Sequence, residues 1–435
     1  MKKPFAQIPF NPAKCPFFYG WFILFWGIIG ILLSVPGQTT GVSAFIEPLI
    51  EDLGIGRFEL SVAYMIGTFS SSFLLTPAGK LFDRIGARWM GFGSCLALGF
   101  VVLLLSQVDH LVQPLEKILP EQIGLVSLLA FLFLLLRLSG QGILTMSSRN
   151  MVMKWFDHHR GLTSGISGAA VTFGFSLTPS FFSGIIDHRG WSGTWFILGL
   201  LLIIVFAPLL LLFFRDTPET FGLIPDGKRH APSHEESTIF RKQFTLPEAR
   251  RSFAFWPFAM AMALQALVIT AVTFHIESVF ELGHMDGAKG FSIFPPMAYI
   301  SIAVSLFCGW LGDRAELRWL LLTMLMAMAG NLIALLNLHE GGPIYAMIVF
   351  GGIANGLFGL LMSVTWPRYF GRDHLGAISG LCMTFMVIAS SIGPVLYSQI
   401  LKMTGSYDAG FILGLAGTLI LIICAPFAKN PQKKR

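Results

Sequence analysis

The segment GKLFDRIGARWM, residues 79–90, places the charged side chains of Lys80, Asp83, Arg84 and Arg88 between two long apolar stretches. A helix that crosses a bilayer needs about 20 mostly apolar residues, and both flanking stretches reach that length. Ionisable side chains are costly inside lipid, so they belong at the membrane surface. The segment is therefore predicted to be a polar loop between two membrane helices.

The composition of the whole chain is typical of a membrane protein. Charged residues form 12% of the 435 residues, against roughly 25% in soluble domains. Hydrophobic residues form 54%, and the mean hydropathy is +0.69. Twelve apolar stretches can be separated, including the first at 19–46, the fifth at 161–185 and the sixth at 193–214. Because they are longer than barrel strands of about ten residues, the predicted fold class is an all-α integral membrane protein with twelve transmembrane helices.

Lys and Arg residues are distributed unequally between the two sides of the membrane. Twelve spans place both termini on one side, and the segments on that side hold most of the 30 Lys and Arg residues. The outer loops hold only Arg57, Lys117, Arg189, Lys289 and Lys402. The positive-inside rule therefore predicts cytoplasmic termini for a multi-pass protein of the inner cell membrane. The net charge of +6 follows from this bias, so no nucleic-acid partner is predicted.

The sequence carries no motif of metal binding, phosphate binding or nucleophilic catalysis. Its five cysteines lie singly, without CxxC spacing, so they indicate small apolar residues and no metal or disulfide framework. The phosphate-binding pattern GxxxxGKS or GxxxxGKT, HExxH and GxSxG do not occur in the chain. We therefore expect a protein that is not an enzyme and has no cofactor.

Two parts of the chain repeat each other in sequence. Three features, KWF at 154–156, a glycine pair at 161–165 and Pro179, recur 214 or 215 residues later as RYF at 368–370, glycines at 376–380 and Pro394. A weaker copy of the first loop lies at 309–314, and a long polar interval separates the two halves. The predicted domains are a six-helix bundle at 1–214, a cytoplasmic linker at 215–252 and a second bundle at 253–435.

The first loop resembles the signature G-x-L-x-D-R-x-G-x-R of the major facilitator superfamily, with every position matched, at Gly79, Leu81, Asp83, Arg84, Gly86 and Arg88. Residues 137–142, RLSGQG, resemble the second motif of that superfamily, an intramembrane Arg followed by packing glycines. The resemblance covers essentially the whole chain. It implies two pseudo-symmetric six-helix bundles and transport of a small solute.

A narrower resemblance lies in YGW at 19–21, PGQT at 36–39 and the segment 218–227. These stretches look like bacterial oxalate/formate antiporters and monocarboxylate transporters, which implies a small carboxylate that is exchanged or moved with a proton. Such relatives often carry a basic residue in span eight or eleven. Here Lys289, Arg314 and Lys402 lie only beyond the ends of those spans.

The resemblance also implies an inner latch that holds one conformation of the transporter. Asp83, Arg84 and Arg149 would belong to it, with Asp313 and Arg314 as the counterpart in the second half. Independently, Gly79 and Gly86 permit close approach of helices, and Asp83 would favour a helix N-terminus. Gly79, Gly86 and Arg88 of the signature are assigned to the same latch. The alternative is a basic loop that only sets the topology.

Arg137 is the clearest candidate for substrate binding, because it lies near the middle of span four. Its own helix offers no acidic residue within one turn, so an anionic substrate would satisfy its charge. In the alternative interpretation, Arg137 donates to backbone carbonyls and to glutamine side chains near Gln141. It would then stabilise the packing of helices.

Further polar residues lie on apolar spans of both halves. His275 and Glu277 could exchange protons in the outer part of span seven, with His275 preferred for the cavity; the alternative is a hydrated interface. Other candidates for a central site are Gln38, Tyr64, Gln141, Tyr299 and Asn355. Such residues are more often packing donors than ligands.

Three functions are consistent with these residues. The first is secondary active transport of a small solute, an organic anion such as a monocarboxylate, by alternating access with proton coupling or exchange. The second is export of amphipathic compounds, which the abundant Phe and Met residues would favour. The third is a membrane sensor or assembly partner that keeps the fold and does not transport. The expected partners are a small-molecule substrate, protons and the lipid bilayer, and the expected functional form is a monomer.

Overall fold

A computed structural model describes residues 9–116, 120–227, 242–312 and 314–434. The chain forms two compact units: one comprises Met1–Asp157 and Phe173–Ser237, and the other comprises His158–Thr172 and Thr238–Arg435. This grouping follows packing, not membrane topology, so the predicted bundle limits stay a prediction. All regular elements in the described residues are helices, and the predicted all-α class is confirmed.

The first unit is built from long apolar helices and a few short ones. Its helices are Gly20–Leu33, Thr39–Ser43, Ile46–Leu53, Arg57–Ile85, Ala87–Leu105, Val108–Glu116, Glu121–Arg137, Thr145–Trp155, the later part of Arg160–Leu200, and Ala207–Phe213. Two π-helical segments, Leu138–Leu144 and Leu201–Phe206, interrupt the α-helical pattern.

The second unit has the same character. Its helices are the beginning of Arg160–Leu200, then Leu246–Arg251, Phe255–Phe274, Ile276–Leu282, Phe294–Gly312, Leu317–Leu336, Gly342–Phe370, Leu375–Thr404 and Asp408–Cys424. Its core is apolar and includes Val268, Phe280, Met328, Leu332 and Phe411.

Ten helices in the described ranges are long and apolar enough to cross a membrane, whereas the sequence predicts twelve. The predicted first span is a helix of only 14 residues, Gly20–Leu33, followed by a 3-10 turn, Val35–Gly37. Pro36 lacks a backbone N–H and so helps to break the helix there. The predicted fifth and sixth spans are two helices that meet at a kink, where Gly190 has non-helical backbone angles with a φ of +68° that suits glycine.

The repeated motifs of the sequence cap the last helix of each unit. In the first unit, the indole of Trp155 donates to the carbonyl of Arg215 at 3.0 Å, and Arg88 Nε donates to the carbonyl of Leu211 at 2.7 Å. The final carbonyls of a helix have no partner within that helix, so these donors stabilise its end.

The second unit repeats this arrangement at matching positions. The hydroxyl of Tyr369, the central residue of RYF, donates to the carbonyl of Ala428 at 3.3 Å. Arg318 Nη1 donates to the carbonyl of Pro426 at 3.0 Å. The aromatic donors are 214 residues apart and the arginines 230 residues apart, the offsets of the sequence repeats.

Glycines allow two helices of the second unit to approach closely. A Cβ atom on Gly165 would lie 2.5 Å from the carbonyl oxygen of Ser305, and one on Gly309 would lie 2.5 Å from that of Gly161. Real side chains do not tolerate such distances. A Cβ atom on Gly168 would be 3.6 Å from Ser305 Oγ, which is an ordinary contact. The spacing of Gly161 and Gly165 is the small-xxx-small pattern of close membrane helix pairs.

We predict that Gly165→Ala lowers the free energy of unfolding by about 1–3 kcal/mol, because the added methyl group meets backbone. Gly168→Ala is the matched control on the same helix and should change it by less than about 0.5 kcal/mol. Thermal unfolding of the purified protein in detergent measures both. Equal midpoints for the two variants would contradict this account of the close approach.

Candidate functional site

The break in the first membrane segment lies against the π-helix of the fourth. A Cβ atom on Gly37 would lie 2.6 Å from the carbonyl oxygen of Leu136 and 2.9 Å from the Cα of Gly140. Only glycine fits this contact. The π-helix Leu138–Leu144 begins directly after Arg137, and such single-turn segments are frequent at functional sites.

Arg137 is buried at this contact, with 3% of its surface exposed. Its Nη1 donates to the carbonyl of Gly37 at 3.1 Å and to Thr39 Oγ1 at 3.4 Å. Its Cζ lies 5.4 Å from the centroid of the Tyr64 ring, and the Tyr64 hydroxyl donates to Thr39 Oγ1 at 3.1 Å. The structure therefore brings Arg137 and Tyr64 together through Thr39.

The charge of Arg137 has no carboxylate partner in the part of the chain that the structure describes. Its Nε is buried and, among those residues, makes no hydrogen bond. Arg137 does donate to a backbone carbonyl, as the alternative interpretation expects. It does so through Nη1 and leaves Nε without a partner in the described residues. A buried cation without a counter-charge costs several kcal/mol, about the scale of a lost buried ion-pair partner. An anion at the Nε edge would offset that cost.

Gln38 faces a different cluster beside this site. Its amide Nε2 donates to Ser34 Oγ at 2.9 Å and to Thr145 Oγ1 at 3.1 Å, and Thr145 Oγ1 donates to Ser34 Oγ at 3.0 Å. These bonds hold the broken segment against the fourth span. Gln141 is half-buried on the π-helix, next to Gly37. Roles for both residues in binding substrate stay predictions.

The second unit contains a cluster of amides around a small cavity. Gln265 Nε2 donates to Asn355 Oδ1 at 2.9 Å, and the buried Asn331 Oδ1 has no partner in the described ranges. The cavity, about 20 Å³, holds one water-sized group and is lined by all three amides. Tyr299 is 72% exposed and does not line it. Sequence analysis missed Gln265 and Asn331, although amides in apolar spans were the signal.

His275 lies where one helix, Phe255–Phe274, ends and the next, Ile276–Leu282, begins. Its Nε2 donates to the carbonyl of Pro394 at 2.9 Å, and its ring lies 5.4 Å from that of Tyr407. Glu277 is exposed. On a regular helix His275 and Glu277 would point to nearly opposite faces. Because the helix is broken at His275, that restriction does not apply here. Neither residue lines the amide cavity.

The residues of the predicted latch occupy different environments. In the first loop Gly79 is buried, Asp83 is half-buried and Arg84 is exposed, while Arg149 is half-buried. Asp313 lies outside the described residues. Arg314 is exposed and stacks with its Cζ 4.3 Å from the centroid of the Trp310 ring. The latch stays a prediction for all of them.

Gly86 and Arg88 have a partner that sequence analysis missed. The backbone N–H of Arg88 donates to Asp216 Oδ1 at 3.1 Å, at the beginning of the helix Ala87–Leu105. A carboxylate there satisfies an unpaired N–H and the positive end of the helix dipole. Gly86 has a φ of +90°, and any Cβ atom on it would collide with Asp216. The signal was available, because Asp216 follows the sixth span directly.

Arg215, next to Asp216, completes this contact. Its Nη1 donates to the carbonyls of Leu212 and Phe214 at 2.7 and 2.8 Å. Burial lowers the pKa of the Arg215 guanidinium to about 10, so the group stays charged at neutral pH. The helix Ala87–Leu105 is therefore joined at its N-terminus to the end of the sixth span by the carboxylate of Asp216, while Arg215 satisfies carbonyls at that end.

We predict that Asp216→Asn lowers the free energy of unfolding by about 0.3–1 kcal/mol, because the amide can still accept the N–H but loses the attraction of a carboxylate to the N-terminus of Ala87–Leu105. Asp187→Asn removes an exposed carboxylate from the same unit, away from a helix N-terminus, and serves as the control. Chemical or thermal unfolding in detergent measures the difference. If both variants unfold like the original protein, Asp216 does not cap the helix.

Comparisons with known proteins agree with this architecture. The model of the Major Facilitator Superfamily matches residues 27–394. The glycerol-3-phosphate transporter of Bacillus subtilis (strain 168) is 23% identical over 410 residues, with 90% of this chain and 88% of that protein covered. The probable nitrate transporter NarT of Staphylococcus epidermidis is 24% identical over 422 residues, covering 94% and 98%.

Solved structures show the same fold at low sequence identity. The proton:xylose symporter XylE superposes with a TM-score of 0.65 at 14% identity, covering 95% of this chain and 98% of that one. The Escherichia coli fucose:proton symporter FucP superposes with a TM-score of 0.60 at 14% identity, covering 94% and 99%. Because the family model also matches most of its length, the chain belongs to the major facilitator superfamily of membrane transporters and is a multi-pass membrane protein.

Proposed function

We propose that this transporter moves a small oxyanion, a monocarboxylate, and that Arg137 recognises its negative charge. The observation that carries the proposal is the buried guanidinium, whose Nε has no partner in the described residues. A planar guanidinium matches a carboxylate in shape and charge. One cation neutralises one negative charge, so a monoanion leaves the site without net charge inside the membrane.

Two relatives support the class of substrate. Glycerol-3-phosphate and nitrate, the solutes for which these two transporters are named, are both oxyanions. The narrower resemblance to oxalate/formate and monocarboxylate transporters stays a prediction and favours a carboxylate. Arg137 alone suits a monocarboxylate or nitrate better than a phosphate dianion, because a second negative charge would need a second cation.

The proposed mechanism is alternating access with proton coupling or exchange, with both termini in the cytoplasm of the cell and the protein in its inner membrane. The broken first segment supports it, since many secondary transporters form their substrate sites from interrupted membrane helices. Such irregular backbone is tolerated at membrane depth where it is buried in protein or lines a water-filled cavity. His275 is the proposed proton-coupling group. Its bond to the Pro394 carbonyl connects the break after Phe274 to the helix Leu375–Thr404, so a change in its charge would act on both.

Arg137→Gln should reduce the initial rate of carboxylate counterflow by at least about tenfold, because a hydrogen bond to a charged group is lost. The assay uses proteoliposomes and labelled formate, acetate, lactate, nitrate and glycerol-3-phosphate, together with cationic dyes. Arg189→Gln removes an exposed arginine and is the matched control. Arg137→Lys keeps the charge and should lie between the two.

The outcomes separate the candidate functions. Counterflow of nitrate without any carboxylate would overturn the choice of substrate. Movement of dyes alone would favour an exporter of amphipathic compounds, and a protein that is stabilised by a carboxylate without transporting it would favour a sensor. Carboxylate flux that is insensitive to Arg137→Gln would contradict the recognition site.

His275→Gln should abolish uptake driven by an imposed pH gradient while leaving carboxylate counterflow at equal pH within about twofold of the original rate. The amide nitrogen of Gln lies at about the position of His Nε2, so it can still donate to the Pro394 carbonyl, but it does not titrate. Glu277→Gln is the companion variant, two residues away and exposed. Loss of both activities in His275→Gln would mean that the residue is structural, and loss of neither would exclude it from coupling.

A further inference from the structure

A short basic helix precedes the membrane helix Phe255–Phe274 of the second unit. It spans Leu246–Arg251 and begins with a capping box, in which Thr245 and Glu248 bond to each other's backbone. Lys242 Nζ lies 2.6 Å from Glu248 Oε1, so these two charges compensate each other. The positive charges of Arg250 and Arg251 in the last turn are therefore not balanced within this segment.

The side chains around the end of this helix combine charge with exposed aromatic rings. Arg250 and Arg251 are exposed, and Phe253 and Trp256 are 53% and 40% exposed. Ala249, in contrast, is fully buried, so the opposite face of the helix packs on the unit. The indole of Trp256 donates to the backbone carbonyl of Arg250 at 2.9 Å. This bond holds the Trp256 ring beside the end of the basic helix.

The first membrane helix of the first unit is preceded by a similar pattern. Lys14 is exposed and is followed by the exposed rings of Phe17 and Trp21, the latter in the first turn of Gly20–Leu33. A basic residue followed by Phe and then Trp therefore occurs at the beginning of Gly20–Leu33 and again at the beginning of Phe255–Phe274. The difference is the number of adjacent charges, one in the first unit and two in the second.

We propose that Arg250, Arg251, Phe253 and Trp256 form a binding surface for the headgroup of an anionic phospholipid. Amphipathic aromatic rings lie at the level of the headgroups, which places the two arginines next to the lipid phosphates. Basic residues beside a membrane helix attract anionic lipids by about 1 kcal/mol each. Soluble phosphate would gain the same charge attraction without the contact between acyl chains and rings, so the surface suits a lipid.

The test measures binding at Trp256 directly. The purified transporter in non-ionic detergent is titrated with phosphatidylglycerol or phosphatidylcholine carrying brominated acyl chains, which quench indole fluorescence. The part of the quenching that disappears in Trp256→Phe reports lipid at this surface. Phosphatidylglycerol should bind more tightly, and added salt should weaken it because the charges are exposed.

The double variant R250Q/R251Q should lose about 25-fold in affinity for phosphatidylglycerol, from about fivefold for each charge. The variant K402Q/K429Q removes two exposed lysines from other places in the same unit and should bind like the original protein. Lys14→Gln should also leave the Trp256 signal unchanged. R250K/R251K keeps both charges and should bind even if the glutamine variant proves unstable.

Several results would overturn the inference. Equal binding of the two lipids, or a preference for phosphatidylglycerol that survives R250Q/R251Q, would exclude recognition by these arginines. Displacement of the lipid by millimolar inorganic phosphate would identify a site for soluble anions. The inference is independent of the proposed substrate, because the readout is lipid binding and not transport.

Discussion

Backbone hydrogen bonding in a medium without water is the constraint on which this structure depends. Wherever a helix ends or breaks near lipid, its free carbonyl groups need donors from elsewhere. Arg137 supplies one for Gly37, and Trp155 supplies one for Arg215. His275 itself lies at a break between two helices and donates to the Pro394 carbonyl inside Leu375–Thr404. The residues proposed to act on substrate or protons are therefore bonded at or beside broken backbone. Binding and conformational change can be coupled at these points because one side chain serves both purposes.

The sequence predicts what depends on composition and on position along the chain. The apolar stretches indicated the all-helical membrane class, and the repeats at KWF and RYF correspond to equivalent caps in the two units. The break in the first span falls at Pro36 and Gly37, residue types that commonly interrupt a helix. Arg137 was recognisable because a charge at membrane depth is rare and expensive. The helices that are long and apolar enough to cross a membrane number ten in the described ranges, because the first helix is short and the fifth and sixth spans meet at a kink at Gly190.

The sequence does not predict which polar side chains face each other. That depends on how each helix is rotated about its axis and on contacts between distant segments of the chain. Gln265 and Asn331 meet Asn355 around one cavity, while Tyr299, on a neighbouring helix, is exposed. Their sequence surroundings are equally apolar, so only packing separates them. The cap between Asp216 and Arg88 joins residues far apart in the chain. The signature loop shows the charges but not the carboxylate that binds its backbone.

The caps at the end of each unit also bear on how the chain is made. Every residue of the first cap, Arg88, Trp155, Leu211 and Arg215, lies before the linker 215–252 or at its first residue. Domains generally fold as units during synthesis, beginning with the N-terminal one. The last helix of the first unit can thus be closed by donors already present in the membrane while the second half is still on the ribosome.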